Sequence, residues 1–124
     1  MTRAEQLLRD LADRIPEFEE MLSDHIEEEH GMLPHMFFWD VYQETMRSYL
    51  QRDNGGEAAS DLPDWREVLR FLEEQSSLGV SEVNAVIVTS FLEYLPFPGE
   101  EGHDIIEHLG PVMAEKFARI RPEG

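Results

Sequence analysis

The stretch that most constrains the fold is residues 81–96, S-E-V-N-A-V-I-V-T-S-F-L-E-Y-L-P, the most apolar segment of the chain. As a helix it carries two apolar stripes, formed by Val83, Ile87, Phe91 and Tyr94 and by Ala85, Val88, Leu92 and Leu95. A helix that is apolar nearly all round has to be buried by its neighbours. We therefore predict a central helix that Ser81 N-caps and Pro96 ends.

A buried strand is the alternative for residues 85–89. Val86, Ile87, Val88 and Thr89 are all β-branched, and such residues favour strands. The apolar pattern continues to residue 95, however, which is long for a strand and ordinary for a helix. The length of the pattern therefore favours the helix.

Helical spacing of apolar residues recurs along the rest of the chain. A Thr2–Glu5 capping box starts a first helix that ends before Pro16. Prolines at positions 16, 34, 63 and 111 suit the starts of later helices, and glycines at 31, 79 and 110 suit helix ends. Residues 103–109 fit a further short helix. The predicted fold class is all-α: a compact single domain, residues 1–124, of six or seven short helices around the helix at 81–96.

Large side chains are dense between residues 35 and 50. Near-helical spacing predicts a core stripe of Phe38, Val41, Tyr42, Met46 and Tyr49. The same spacing does not decide whether Phe37 and Trp39, which flank the stripe, are buried or form an exposed patch. After this helix, residues 51–64 include Asn54, Gly55 and Gly56 and predict a surface loop.

The charge balance limits the possible partners. The chain has 27 acidic and 10 basic residues, a formal net charge of −17. Nine acids and no Lys or Arg lie between Arg14 and Arg47, and the same is true between Arg70 and Lys116. Such a surface repels nucleic acid and anionic lipid and attracts basic proteins. We therefore expect a basic protein partner, no nucleic-acid partner and no membrane partner.

The composition also bears on the compartment. The chain has no cysteine, no signal-peptide core near its start and no apolar run of membrane-span length. We expect a soluble cytoplasmic protein that needs no cofactor. The sequence does not indicate its oligomeric state.

Histidines raise the question of a metal site. His25, His30 and His35 lie close together in the sequence, and Glu27 and His30 have the E-x-x-H spacing used in helical di-iron bundles. Glu27 lies off the apolar stripe of its helix, which places it toward solvent and not toward a bundle interior. Since the chain also lacks a nucleophile elbow and a phosphate-binding loop, we predict no metal, no catalytic residue and no enzymatic activity. A helical metal-dependent or small-molecule-binding enzyme that uses His25, Glu27 and His30 remains the alternative.

Three short patterns suggest a family. F-L-E at 71–73, S-F-L-E-Y-L at 90–95 and L-G-P at 109–111 resemble what is seen in small, acidic, all-helical bacterial proteins of the immunity type. The resemblance covers roughly the C-terminal half and transfers no functional residue. It implies a stoichiometric inhibitor that binds and neutralises a toxin domain.

The leading hypothesis is a non-enzymatic protein-binding module with a strongly acidic surface, most concretely an immunity-type inhibitor of a basic toxin domain. A regulatory adaptor is a further alternative. The predicted binding surface combines the acids of the second helix with those of a turn-rich loop, namely Glu20, Asp24, Glu27, Glu28, Glu29, Glu100, Glu101 and Asp104. The loops at 99–104 and 53–64 are alternative contact regions in their own right.

Overall fold

The computed structural model describes residues 1–52 and 61–124. Within these ranges the chain has no strand and forms six α-helices: α1 Arg3–Arg14, α2 Glu17–Glu29, α3 Pro34–Leu50, α4 Trp65–Ser77, α5 Ser81–Ser90 and α6 Pro111–Ile120. Two 3₁₀ segments, Leu92–Tyr94 and His103–His108, lie between α5 and α6. The predicted all-α class is confirmed. The loop predicted around Asn54, Gly55 and Gly56 lies outside the described residues.

Several helix boundaries follow from the local signals in the sequence. Thr2 and Glu5 form the predicted capping box, in which Glu5 N–H donates to Thr2 Oγ1 at 3.0 Å and Thr2 N–H donates to Glu5 Oε1 at 2.9 Å. Pro34 and Pro111 lie in the first turns of α3 and α6, where a missing N–H costs nothing. The predicted starts of α1, α3 and α6 are therefore confirmed.

Other predicted helix boundaries differ from the structure by one or two residues. α4 begins after Asp64 and not at Pro63, because the Asp64 carboxylate accepts a hydrogen bond from Arg66 N–H at 3.0 Å, which a proline side chain cannot do. The left-handed residue that ends α2 is His30, with φ 58°, and not Gly31. Histidine is one of the non-glycine residues that tolerate this conformation.

The central helix is shorter than the predicted 81–96. α5 begins after Val80, with Ser81 in its first turn and no side-chain cap, so the predicted N-cap is also wrong. The helix ends at Ser90, and Phe91 takes a non-helical conformation with φ −135° and ψ −63°. Pro96 therefore does not end it.

The break at Phe91 has a packing reason. The buried face of α5 is centred near Val83, and in a continued helix Leu92 would point about 180° away from that face. The turn after Ser90 instead brings Phe91, Leu92 and Leu95 into the core, where each is completely buried. Burial of these large side chains outweighs continuation of the helix for one more turn.

The buried apolar side chains of all six helices form one cluster. α5 packs against α1, α3 and α4, so the segment predicted to be central is central. It is not buried on every side, because Ala85 and Tyr94 are exposed and Val88 is only partly buried. Among the described residues, no helix has both the length and the apolar character needed to cross a membrane.

Two carboxylates cap the start of a neighbouring helix. Glu82 of α5 accepts a hydrogen bond from Ala4 N–H, in the first turn of α1, at 2.7 Å. Glu73 of α4 accepts from the N–H groups of Val112 and Met113 in α6, both at 2.9 Å. The first N–H groups of a helix have no partner within it, and the helix dipole favours a negative charge there. Part of the acidity of the chain therefore stabilises the fold.

Candidate functional site

The acidic surface predicted on the second helix is present on α2. All seven carboxylates of this helix are exposed, namely Glu17, Glu19, Glu20, Asp24, Glu27, Glu28 and Glu29. Phe18 and Leu22 bury the opposite side of the helix in the core. Within the described part of the chain, none of the seven forms an ion pair. We call Glu20, Asp24, Glu27, Glu28 and Glu29 the acidic face.

A shallow groove of about 240 Å³ lies between α2 and α3 and includes part of the acidic face. Its lining combines four carboxylates and two methionines with one histidine: Asp24, Glu28, Glu29, Asp40, Met21, Met36 and His25. A lysine or arginine side chain has the same division, with an apolar stem and a charged end. The chemistry of the groove therefore suits a basic side chain. We call it the α2–α3 groove.

Asp40 is a member of this groove that the sequence did not indicate. Loss of surrounding water raises the pKa of the Asp40 carboxyl, Glu44 adds to the increase, and His25 opposes it. No ion pair within the described residues compensates the charge of Asp40. A partly desolvated carboxylate without a cation is a favourable contact for a basic group.

His25 has a structural role in place of the proposed metal-binding one. It is only 6% exposed, its ring lies 5.3 Å from that of Phe37, and Leu33 N–H donates a hydrogen bond to its Nε2 at 3.0 Å. That bond uses the lone pair that a metal would need, and it ties the end of α2 to the start of α3.

His35, the third histidine of the sequence cluster, contacts a different helix, because its Nδ1 lies 2.6 Å from Ser90 Oγ of α5.

The other two residues of the metal hypothesis, Glu27 and His30, do not complete a metal site with His25. Glu27 and His30 are both exposed, at the outer side and the end of α2. In residues 1–52 and 61–124, no three His, Asp or Glu side chains converge as metal ligands would. The structure therefore does not bring the residues of the enzyme alternative, His25, Glu27 and His30, together.

The predicted loop acids differ in what they contact. Asp104 accepts a hydrogen bond from Tyr49 O–H at 2.7 Å, and Glu100 Oε1 accepts one from Phe97 N–H at 2.7 Å. Glu101 is exposed. None of the three lines the α2–α3 groove. Asp104 and Glu100 therefore hold the turns around the second 3₁₀ segment, and the charge of Asp104 is paired with Arg52 at 3.5 Å.

The structure separates the two aromatic residues whose burial the sequence left open. Phe37 is completely buried, whereas Trp39 is 43% exposed. The Trp39 ring contacts those of Tyr42 and Tyr94, at centroid distances of 5.8 and 4.9 Å. We call Trp39, Tyr42 and Tyr94 the aromatic cluster. Helical periodicity did not separate them, because both Phe37 and Trp39 lie off the apolar stripe of α3.

Comparison of the chain with protein-family models, with curated proteins and with solved structures found no match. The resemblance to immunity-type proteins accordingly stays a prediction. Function is inferred below from the residues and their geometry.

Proposed function

We propose that this chain is a non-enzymatic protein-binding module whose acidic face engages a basic protein partner. The observation that carries the proposal is the row of exposed carboxylates on α2, none of which forms an ion pair within the described residues. Basic side chains are available in the chain, but those that form ion pairs do so elsewhere: Arg14, Arg47, Arg52, Arg70 and Arg119. The negative charge of α2 is therefore free to act on a partner.

Charge of this kind acts first on the rate of encounter. Complementary long-range fields raise association rates from roughly 10⁵–10⁶ to roughly 10⁸–10⁹ per molar per second at low salt. The α2–α3 groove then offers a place where one basic side chain exchanges water for carboxylates and methionine side chains. The acidic face, which attracts the partner, and the groove, which holds one of its side chains, are thus adjoining parts of one surface.

The most concrete form of this function is an immunity-type inhibitor that neutralises a basic toxin domain. The resemblance of residues 71–73, 90–95 and 109–111 to such proteins supports this form, and so does the net charge of −17. Inhibition follows if the acidic face covers the basic surface with which the toxin holds its target. A stoichiometric complex is sufficient, and no catalytic residue is required of the inhibitor.

Growth rescue tests this form of the function. The protein encoded beside this gene is the first partner to examine. If its terminal domain arrests bacterial growth when expressed alone, co-expression of this chain should restore growth, and the Glu27→Lys, Glu28→Lys double variant should restore it less. A neighbouring protein without a toxic domain, or growth arrest that persists with the wild-type chain, would reject toxin neutralisation.

Association kinetics with the purified partner test the position of the interface. The Glu27→Lys, Glu28→Lys variant should associate more slowly and with a weaker salt dependence than the wild type, since rim charges act mainly on the on-rate. A matched control is Glu107→Lys with Glu123→Lys, which makes the same change in net charge at exposed positions outside α2 and α3. Equal rates and salt slopes for wild type and α2 variant would remove α2 from the interface and favour the loops at 99–104 or 53–64.

A further inference from the structure

The aromatic cluster has no arginine above its rings, whereas five other aromatic residues of the chain do. Arginine Cζ atoms lie 3.8–6.0 Å from the ring centroids of five other aromatic residues, Phe71, Tyr49, Trp65, Phe97 and Phe117. None lies over the cluster, although the described residues include all ten Lys and Arg side chains of the chain. The cluster is thus an exposed aromatic surface that the chain leaves without a cation.

Packing fixes the rings of the cluster in place. Trp39 and Tyr42 are nearly parallel, with an interplanar angle of 19°, whereas Trp39 and Tyr94 meet at 70°. Phe91, which is completely buried, lies against Tyr42 with ring centroids 5.9 Å apart. Trp39 and Tyr94 nevertheless keep 43% and 48% of their surface exposed. Rings held in this way lose little conformational freedom when a partner covers them.

Carboxylates border the cluster along the chain. Exposed Glu93 directly precedes Tyr94, and exposed Asp40 directly follows Trp39. Met36, half exposed, lies one helical turn before Trp39 on α3 and lines the α2–α3 groove. The cluster and the groove thus both use residues 36–42 of α3.

Two groups of opposite charge, Glu100 and Arg121, also act on Tyr42. Burial raises the pKa of Tyr42, and nearby Glu100 raises it further, whereas Arg121 lowers it. Arg121 is not free to cover the cluster, because its guanidinium donates hydrogen bonds to the carbonyl oxygens of Leu95 and Pro96. These bonds fix the position of the Arg121 guanidinium.

We propose that the aromatic cluster is the anchor for an arginine side chain of the basic partner, with the guanidinium over Trp39 and Tyr94. Aromatic faces carry negative potential, and a planar guanidinium stacks on them. Tryptophan and tyrosine are also the residues that most often dominate binding energy at interfaces. The proposal rests on the proposed function in requiring a basic partner, and it adds the residues that hold that partner after encounter.

A short labelled glycine–serine peptide that contains arginine residues is the probe, and its control has citrulline, the neutral isostere, at those positions. Fluorescence anisotropy should show that the wild-type chain binds the arginine peptide more tightly than the citrulline peptide. Trp39→Ala and Tyr94→Ala should each weaken binding by about twofold to thirtyfold, the range expected for a cation over an aromatic ring. Phe97→Ala is the matched control, because that exposed ring already carries Arg121, and it should bind as the wild type does.

Indole N–H signals in NMR spectra locate the contact. The arginine peptide should shift the signal of Trp39 saturably and leave that of buried Trp65 unchanged. Equal affinity for the two peptides overturns the proposal, as does wild-type affinity in both aromatic variants with folding verified by circular dichroism. A wild-type dimer that Trp39→Ala converts to a monomer, with no peptide binding, also overturns it and assigns the cluster to a second copy of the chain.

The acidic-face variant separates this proposal from the one on which it rests. If Glu27→Lys, Glu28→Lys binds the arginine peptide as the wild type does while the aromatic variants lose affinity, the anchor stands and the role of the acidic face is rejected. If the charge variant loses affinity and both aromatic variants keep it, the anchor is rejected and the acidic face stands.

Discussion

The carboxylate of Glu73 occupies the space that a side chain at Gly110 would need. A Cβ atom on Gly110 would lie 2.5 Å from Glu73 Cγ and 2.7 Å from Oε1. The carboxylate is held there by the N–H groups of Val112 and Met113, which it caps at 2.9 Å each. The missing side chain at position 110 thus allows a glutamate of α4 to cap α6.

This relationship predicts that Gly110→Ala destabilises the fold. The added methyl group would displace the Glu73 side chain and break two charge-assisted hydrogen bonds. We expect the free energy of unfolding to fall by about 1–3 kcal/mol, as measured by urea denaturation.

A double-mutant cycle provides the control. In a Glu73→Ala background the space beside Gly110 is open and the two hydrogen bonds are already lost, so Gly110→Ala should cost less than about 0.5 kcal/mol. An equal cost in both backgrounds would show that Glu73 is not the reason for the glycine.

The second prediction concerns Phe91, where α5 ends. Its ring is completely buried, and Phe91→Ala should lower the free energy of unfolding by about 3–5 kcal/mol, the usual cost of truncating a core aromatic residue. Leu78→Ala, at a position that is 63% exposed, should change it by less than about 0.5 kcal/mol. A loss below about 1 kcal/mol for Phe91→Ala would contradict the central packing of this turn.

Local signals in the sequence were sufficient for the helices but not for the way they meet. The Thr2–Glu5 box and Pro111 act within one turn of chain, so their effect was predictable. The turn at Phe91 depends on which direction the core lies after Ser90, and that is decided by other helices, α3 through Tyr42 and α6. Periodicity along one segment carries no information about that direction.

The same distinction applies to the candidate site. The acidity of α2 could be read from Glu27 and its neighbours, because a helix with one apolar side must expose the other. The α2–α3 groove could not be predicted from the sequence, because Asp40 lies on a different helix from the acids of α2. The structural role of His25 was not predictable for a similar reason: the N–H group of Leu33 that it binds becomes its neighbour only when α2 and α3 pack.

The third prediction is a loss of stability at high pH through Tyr49. Burial and the hydrogen bond to Asp104 raise the pKa of Tyr49 to about 12, from the ordinary value of about 10. Below about pH 10 the hydroxyl is protonated in both the folded and unfolded states, and its contribution to the free energy of unfolding is fully present. Between about pH 10 and about pH 12 the unfolded state releases this proton first, so the free energy of unfolding should fall by up to about 2–3 kcal/mol.

Tyr49→Phe is the control for this pH dependence. The variant lacks the ionisable hydroxyl, so urea denaturation at increasing pH should show a smaller fall in its free energy of unfolding. Tyrosinate absorbance should also lose its latest-titrating component. Parallel pH profiles for the wild type and Tyr49→Phe would contradict the assigned role of the hydroxyl.

The last prediction is that salt stabilises this protein. Of the 27 acids, ion pairs within the described residues engage five, Glu44, Glu67, Glu74, Asp104 and Glu115. The acidic face therefore contributes repulsion that the compact state concentrates. Raising the ionic strength from about 0.01 M to about 0.15 M shortens the screening length from about 30 Å to about 8 Å, so the melting temperature should rise at constant pH.

Variants in which neutral glutamine replaces glutamate identify the source of the salt effect. Glu20→Gln, Glu27→Gln and Glu28→Gln together should raise the melting temperature at low salt and reduce its salt dependence, because they remove part of the repulsion without changing side-chain size. Glu115→Gln, which removes a carboxylate paired with Arg119 at 2.6 Å, should leave the salt dependence close to that of the wild type. A melting temperature that stays constant or falls with added salt would mean that attraction between unlike charges, and not repulsion on α2, dominates the electrostatics of the folded chain.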